Sequence, residues 1–335
     1  MGRQCTSDVP AGRSPGLVLG ALLGEAVLQG RDKLTMITAS RFAPFGAWLE
    51  QLIAESSGKN STGIIPIDGE KRYPPSAYGT DRLFVYLRLP QDAETPSIDR
   101  YIARLLKFGH PVITLTVHDP YDVGREFYRW EVAIAIACAV LRVNAFDQPY
   151  VQDSKTRTLV KISAYYQTGI LDEGQPWWQG EGACVYGQVI AGEWKKLADL
   201  VLAFLGQRKV GDYLAINAYL HRSGHKIAML QKFRIDLHNK TGLPTTLGFG
   251  PRFLHSTGQL HKGGANNGLF LQITADTSHD INIPVENLTF GVLERAQALG
   301  DFEALLGRDR RVLRLHFSER GSLFKLIVEL ARRSC

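Results

Sequence analysis

The segment that decides the fold is residues 82–117, RLFVYLRLPQDAETPSIDRYIARLLKFGHPVITLTV. It opens and closes with short runs rich in Val, Ile, Leu, Phe and Tyr, which are typical of buried strands. Between them, SIDRYIARLLKFG carries apolar residues at three- and four-residue spacing, which predicts a helix with one buried face. A strand, a helix and a second strand in this order predict a βαβ unit with two parallel strands.

The same alternation extends over most of the chain. Further strands are predicted at KLTMITA, TGIIPI, DYLAINAYL, TTLGFG, GLFLQIT and RRVLRLHF, and predicted helices lie between most of them. This pattern predicts the α/β class, as a three-layer αβα sandwich whose mostly parallel sheet is covered by helices on both faces. In such sheets ligands bind beyond the carboxyl ends of the strands, where the strand order switches.

The length of 335 residues allows one large or two modest domains. The alternation is interrupted at residues 161–192, which are rich in Gly, Gln and aromatic residues and predict an inserted hairpin or an ordered surface loop. We therefore expect a flexible N-terminus at residues 1–13, an α/β domain at 14–160, the insertion, and a C-terminal α/β extension at 193–335.

Composition narrows the class of protein. With 44% hydrophobic and 21% charged residues the chain can form a sizeable core. We find no apolar run of the roughly 18 residues that a membrane span needs and no secretory signal, so a cytoplasmic location is expected. The four cysteines form no CxxC pair, which argues against a zinc or redox site, and Cys138 is predicted to be a buried thiol. A dispersed net charge of +6 fits anionic small substrates better than nucleic acid.

The stretch ESSGK, residues 55–59, ends a predicted amphipathic helix. The last turn of a helix favours cations, so Glu55 is either simply exposed to solvent or faces a cleft where its charge is used. Partial burial and the helix dipole both raise the pKa of a carboxyl group, which suits a general base near neutral pH. Ser56, Ser57 and Lys59 follow, and hydroxyls, loop amides and an ammonium group can hold a sugar phosphate.

Two other stretches place polar groups in predicted loops. In NAFDQPYVQDSK, residues 144–155, Pro149 indicates a loop or a new turn, and Lys155 is either an exposed lysine or a group that meets an anion. In GFGPRFLHSTGQLHKGG, residues 248–264, a strand and a Gly-Pro turn precede His255 and His261. These histidines lack the spacing of a helical zinc site, so no metal is predicted, and each is either structural or able to exchange protons.

Together, ESSGK, FDQPYVQDSK and HSTGQLHKGG resemble motifs of the glucose-6-phosphate isomerase family, especially the isomerase part of bifunctional transaldolase/glucose-6-phosphate isomerase fusions. GRDKLT, YGTDRLFVYL and GHPVITLTVHDPYD extend the likeness from about Ser14 onward. The resemblance implies sugar-isomerase (SIS) domains, which are αβα sandwiches. It also implies interconversion of glucose 6-phosphate and fructose 6-phosphate through a cis-enediol, without metal or organic cofactor.

The resemblance further implies a role for each matching residue. Glu55 matches the glutamate of the family's ESNGK-type motif, which shuttles a proton between C2 and C1 of the sugar. Lys155 matches the lysine that closes an FDQxGVExxK motif and is associated with ring opening and substrate contact. His261 matches the ring-opening histidine of a QHSxxQLxHQG-like motif, with His255 as the competing choice. The remaining groups expected to bind substrate are Ser56, Ser57, Lys59, Gln148 and His255.

Some features depart from the family's pattern. Tyr150 and Gln152 replace the usual glycine and glutamate of the lysine motif, the histidine motif follows the lysine motif, and the GGRxS segment of a first SIS domain is missing. We expect either a homodimer, as the resemblance implies, or association with a missing N-terminal isomerase or transaldolase part. Neither nucleic acid nor membrane is an expected partner. Three hypotheses stay open: an isomerase, a non-catalytic SIS-type module that binds phosphosugars, and a fragment that folds only with its partner domain.

Overall fold

The computed structural model describes residues 1–277, 279–318 and 321–333. The chain forms two compact units, of which unit 1 comprises Met1–Gln148 and His255–Ala265, and unit 2 comprises Pro149–Leu254 and Asn266–Cys335. This division differs from the expected boundary at residue 160, because a helix that starts at Pro149 packs within unit 2. Residues 255–265, which were expected in the C-terminal extension, belong to unit 1 instead.

The described residues form alternating strands and helices. The strands are β1 Lys33–Thr38, β2 Ile65–Ile67, β3 Arg82–Arg88, β4 Val112–Thr116, β5 Trp178–Gly180, β6 Ala183–Gly187, β7 Tyr213–Tyr219, β8 Thr245–Phe249, β9 Gly268–Ala275 and β10 Arg311–Phe317. The helices are α1 Pro15–Leu28, α2 Ala43–Ser57, α3 Thr95–Lys107, α4 Val123–Val140, α5 Pro149–Thr168, α6 Leu197–Gly206, α7 Gly224–Thr241, α8 Thr257–Gly263, α9 Phe290–Leu306 and α10 Ser322–Arg332. None of these helices is both long enough and apolar enough to span a membrane.

Unit 1 is built on a parallel sheet with the strand order β2-β1-β3-β4. Side chains of β3 alternate between the two faces, as they must in a strand. Leu83, Val85 and Leu87 belong to one apolar core together with side chains from α1, α2 and α4. On the opposite face, the Tyr86 hydroxyl donates to the Asp99 carboxylate of α3 at 2.9 Å. Helices therefore cover both faces, and the βαβ prediction for residues 82–117 is confirmed.

Helices α1 and α4 pack closely because α1 presents glycine at the contact. Ser14 and Pro15 occupy the N-cap and first helical position of α1, and proline suits a position whose N–H has no helical partner. A Cβ atom at Gly20 would lie 2.3 Å from the backbone oxygen of Ala133 in α4, so a larger residue would push the two backbones apart.

Unit 2 is built on a second sheet, with the strand order β5-β6-β10-β9-β7-β8. Strands β10, β9, β7 and β8 are parallel, and the hairpin β5–β6 joins the edge in antiparallel pairing. One face packs against α6, α7 and α10 in a single apolar core. On the other face, Gln272 of β9 donates to the Ala298 carbonyl of α9 at 3.0 Å. The expected C-terminal extension is thus a complete αβα sandwich.

Between residues 149 and 192 the structure differs from one sequence expectation and confirms another. Residues 149–168, predicted as a loop and the start of an insertion, form the twenty-residue helix α5. Pro149 is its first residue, a position that proline favours, so the same residue that indicated a turn marks a helix start. The hairpin expected within 161–192 is confirmed as β5–β6.

Candidate functional site

The ESSGK stretch forms the last turn of α2 and the loop that follows it. Glu55 lies in this turn and is half-buried, and the helix ends when the Gly58 N–H donates to the Ala54 carbonyl at 3.2 Å. The apolar face of α2 fixes the position of this turn, because Leu49 and Ile53 are buried in the core of unit 1. The Glu55 backbone is therefore held by packing along the whole helix.

The two serines after Glu55 have different surroundings. Ser56 is half-buried, and its carbonyl accepts from the Cys138 thiol at 3.4 Å. Burial raises the pKa of that thiol to about 11, which confirms the predicted buried cysteine. Ser57 is fully buried, and its hydroxyl donates to the Ile53 carbonyl at 2.7 Å and accepts from the Ile64 N–H at 3.0 Å. The single hydroxyl proton of Ser57 is therefore used inside the fold, and its expected role as a substrate ligand stays an untested prediction.

Lys59 connects the ESSGK loop to the second motif. Its side chain is buried, and its ammonium donates to the Asn144 carbonyl and pairs with the Asp147 carboxylate at 3.1 Å. The charge of Lys59 is thus already balanced by the loop at residues 144–147, and its expected contact with a sugar phosphate stays a prediction. The pairing of Asp147, which belongs to the FDQ motif, is not predicted from the sequence. The sequence shows only that an acidic and a basic residue occur in two separate motifs.

The third motif folds as the short helix α8 and packs against the end of α2. The Gln259 side-chain amide donates to the Gly58 carbonyl at 3.0 Å, and the Ser61 N–H donates to the Gly263 carbonyl at 2.9 Å. Leu260 lies directly over Gly58, where a Cβ atom would be 2.4 Å from the Leu260 Cα. Gln259 was not among the predicted functional residues, although it lies inside the HSTGQL stretch. A glycine at position 58 thus permits the two motifs to meet.

The two histidines of the third motif differ in exposure. His261 lies in α8 and is buried, whereas His255 precedes α8 and is exposed. The structure places Glu55 and His261 on two helices of unit 1 that pack directly against each other. Glu55 and His261 lie in the same unit because residues 255–265 belong to unit 1. The periodicity of strands and helices in the sequence does not predict this assignment.

The other predicted ligands lie on the surface. Gln148 is exposed at the end of the first segment of unit 1, and Lys155 is exposed on α5 of unit 2. Unit 1 therefore contains Glu55, the Lys59–Asp147 pair and both histidines, and Lys155 belongs to the other unit.

We expect Gly58→Ala to lower the free energy of unfolding of this chain by about 1–3 kcal/mol, because the added methyl group would overlap the Leu260 backbone. The matched control is Gly124→Ala in α4, where a Cβ atom would meet nothing within 4 Å. Urea unfolding measures both variants. A Gly58→Ala variant as stable as the control would contradict the close packing of α8 on α2.

Several solved structures resemble this chain at low sequence identity. No protein-family model matches the sequence. Hypothetical protein TT0462 from Thermus thermophilus is similar at a TM-score of 0.33 and 16% identity, over 94% of this chain and 80% of that one. A protein described as sugar-binding, from Salmonella typhimurium, has a TM-score of 0.24 and 11% identity over 86% and 93% of the two chains. The C-terminal domain of glucosamine-fructose-6-phosphate aminotransferase from Francisella tularensis has a TM-score of 0.27 and 8% identity over 95% and 93%. None of these likenesses identifies the function, which must be argued from the side chains of this protein.

Proposed function

We propose that this protein is an aldose–ketose isomerase that interconverts glucose 6-phosphate and fructose 6-phosphate. The observation that carries the proposal is the meeting in unit 1 of ESSGK, the HSTGQL helix and the FDQ segment at residues 146–148. The Gln259–Gly58 hydrogen bond joins the HSTGQL helix to ESSGK, and the Lys59–Asp147 pair joins ESSGK to the FDQ loop. These are the stretches that resemble the isomerase family, and a shared position is what a common substrate would require.

Glu55 is assigned the proton transfer between carbon atoms. As a carboxylate it removes the proton from C2 of the open-chain aldose, which leaves a cis-enediol when the C1 carbonyl oxygen gains a proton. Return of the proton to C1, with loss of the O2 proton, completes the ketose. The reaction is internally balanced in electrons, because C2 is oxidised as C1 is reduced. A group held at the end of a rigid helix suits this task.

His261 is assigned ring opening, which requires a proton exchange between the ring oxygen and O1. An imidazole performs such an exchange near neutral pH. We favour His261 over His255 because His261 lies in α8, which packs against α2, the helix that carries Glu55. Ser56, Gln148 and His255, all in unit 1, remain candidate substrate ligands, and the role that the resemblance implies for Lys155 of unit 2 stays a prediction. Lys59 is assigned to positioning, since its ammonium holds the FDQ loop.

A second candidate function is a SIS-type module that binds phosphosugars without turnover. One observation favours it: Ser57 and Lys59, two of the expected sugar-phosphate ligands, are engaged within the fold. Fewer groups are then left to hold the substrate against Glu55, and loss of orientation lowers catalytic rate steeply.

One assay separates the two candidates. The purified chain is supplied with fructose 6-phosphate, and formation of glucose 6-phosphate is followed through its dehydrogenase-coupled reduction of NADP. Saturable turnover supports the isomerase. Binding of fructose 6-phosphate, measured by calorimetry, without turnover supports the binding module. Absence of both would refute the proposed function.

A further inference from the structure

Unit 2 contains a cavity of about 480 Å³ at the carboxyl ends of β7 and β9. From β7 the chain continues through α7 to β8 on one side, and from β9 it continues through α9 to β10 on the other. The strand order therefore switches between β7 and β9. Open parallel sheets bind ligands at this kind of crevice, and the volume is in the range of small-molecule sites.

Two basic side chains of the cavity, those of His221 and Lys226, come from the β7 side. His221 follows β7 and is exposed, and Lys226 in the first turn of α7 is half-buried. Among the described residues the Lys226 ammonium has neither an ion pair nor a hydrogen bond. Lys226 is thus a cation at the cavity wall whose charge the neighbouring side chains do not balance by contact.

Other charges of the cavity are engaged. Arg295 pairs with Glu173 and Asp276 and donates to the Ala275 carbonyl at 3.0 Å. Asp280 accepts from the Gly291 N–H at 2.8 Å, so the N-terminus of α9 already holds a carboxylate. An incoming anion therefore meets Lys226 and His221 rather than the helix end.

Acceptors for hydroxyl groups also line the cavity. Glu294 on α9 is half-buried, and the side chain of Asp276 after β9 is 60% exposed. Three carboxylates at one cavity, those of Asp276, Asp280 and Glu294, disfavour a polyphosphate. They suit a ligand that carries a single anionic group and several hydroxyl donors.

We propose that this cavity is a second ligand site, which binds a monophosphorylated sugar with Lys226 and His221 on the phosphate and Glu294 on the hydroxyls. All three residues belong to unit 2, whereas Glu55 and His261 belong to unit 1. The proposal goes beyond the isomerase function and does not depend on it.

The partial burial of Glu294 is expected to lower the stability of the fold at neutral pH. Burial raises its pKa above the ordinary value, although Lys226, Arg295 and His221 oppose the shift. A carboxyl group whose pKa is raised on folding lowers stability as the pH rises from its unfolded pKa through its folded pKa. Glu294→Gln removes that penalty, so its melting temperature should exceed that of the unmodified protein at pH 7, with the gain lost below about pH 4. A lower melting temperature at pH 7 would instead assign Glu294 a structural role.

The binding test uses histidine NMR signals, because histidines line the cavity and also mark the candidate site of unit 1. The full chain with labelled histidine is titrated with glucose 6-phosphate, inorganic phosphate and glucose in turn. We expect a saturable shift of the His221 signal with glucose 6-phosphate and about tenfold weaker binding of either fragment. Shifts confined to His255 or His261 would overturn this inference while supporting the proposed function. No shift at any of them would refute both.

Two lysine variants decide whether the cavity holds the phosphate. Lys226→Ala should weaken the His221 response about tenfold, because a charge-assisted contact is lost. Lys232→Ala is the matched control on the same helix, since Lys232 is 67% exposed and pairs with Asp236, and its response should equal that of the unmodified protein. Equal binding by Lys226→Ala, or binding of inorganic phosphate as tight as that of glucose 6-phosphate, would overturn the proposal.

Discussion

Replacing Glu55 with glutamine is expected to lower the rate of fructose 6-phosphate isomerisation by about 10²–10⁴-fold, the range that a positioned general base contributes. Glutamine keeps the size and the hydrogen-bonding capacity of the side chain but cannot accept the C2 or C1 proton. The change should appear in kcat, with a smaller effect on KM, because the proton transfer belongs to the transition state. The coupled dehydrogenase assay measures both constants.

The control for this variant is Glu50→Gln, also on α2 and also half-buried. It removes a carboxylate from the same helix without touching the ESSGK turn, and its rate should match that of the unmodified protein. Isomerisation in deuterated water supplies an independent readout, since a proton shuttled by a carboxylate exchanges with solvent and leaves deuterium at C1 or C2. A Glu55→Gln variant that keeps its full rate and its deuterium incorporation would exclude Glu55 as the base.

Glu70→Ala is expected to lower the free energy of unfolding by about 3–5 kcal/mol, because it would leave a buried guanidinium without its counter-charge. Arg82 of β3 and Glu70 expose only 1% and 3% of their side chains, and two hydrogen bonds of 2.9 and 2.8 Å join them. Removing the carboxylate while the charge remains buried costs far more than the pair itself contributes. Urea unfolding followed by circular dichroism measures the loss.

The control is Arg88→Ala, which breaks the Arg88–Asp99 pair at the surface of unit 1 and leaves the Tyr86 hydroxyl its Asp99 acceptor. These side chains are 33% and 37% exposed, so water replaces the lost partner and the expected cost is about 1 kcal/mol or less. A double variant, Glu70→Leu with Arg82→Met, should recover most of the stability by removing both buried charges. Equal losses for Glu70→Ala and Arg88→Ala would show that burial does not govern the contribution of these pairs to stability.

The elements that could be predicted are those with a strong local pattern. Strand β3 and helix α3 follow from a continuous apolar run and a three- and four-residue spacing, which depend only on neighbouring residues. Helix α5 was missed because Pro149 is compatible with both a turn and a helix start, and only its packing against α9 within unit 2 decides between them. Helix α8 was missed because seven residues rich in Gly and polar groups show no period.

The sequence by itself determined the α/β class, the order of its main strands and helices, and the resemblance of three motifs to an isomerase family. These depend on apolar spacing and on residue identity, both of which are written along the chain. Only the tertiary structure decided that residues 255–265 return to unit 1 and bring His261 to the helix of Glu55. It also decided that Lys59 is paired with Asp147 while Lys226 is open to a ligand. The physical reason is that the sequence specifies the charge of a side chain but not the partner that it pairs with. That partner is set by contacts between residues far apart in sequence.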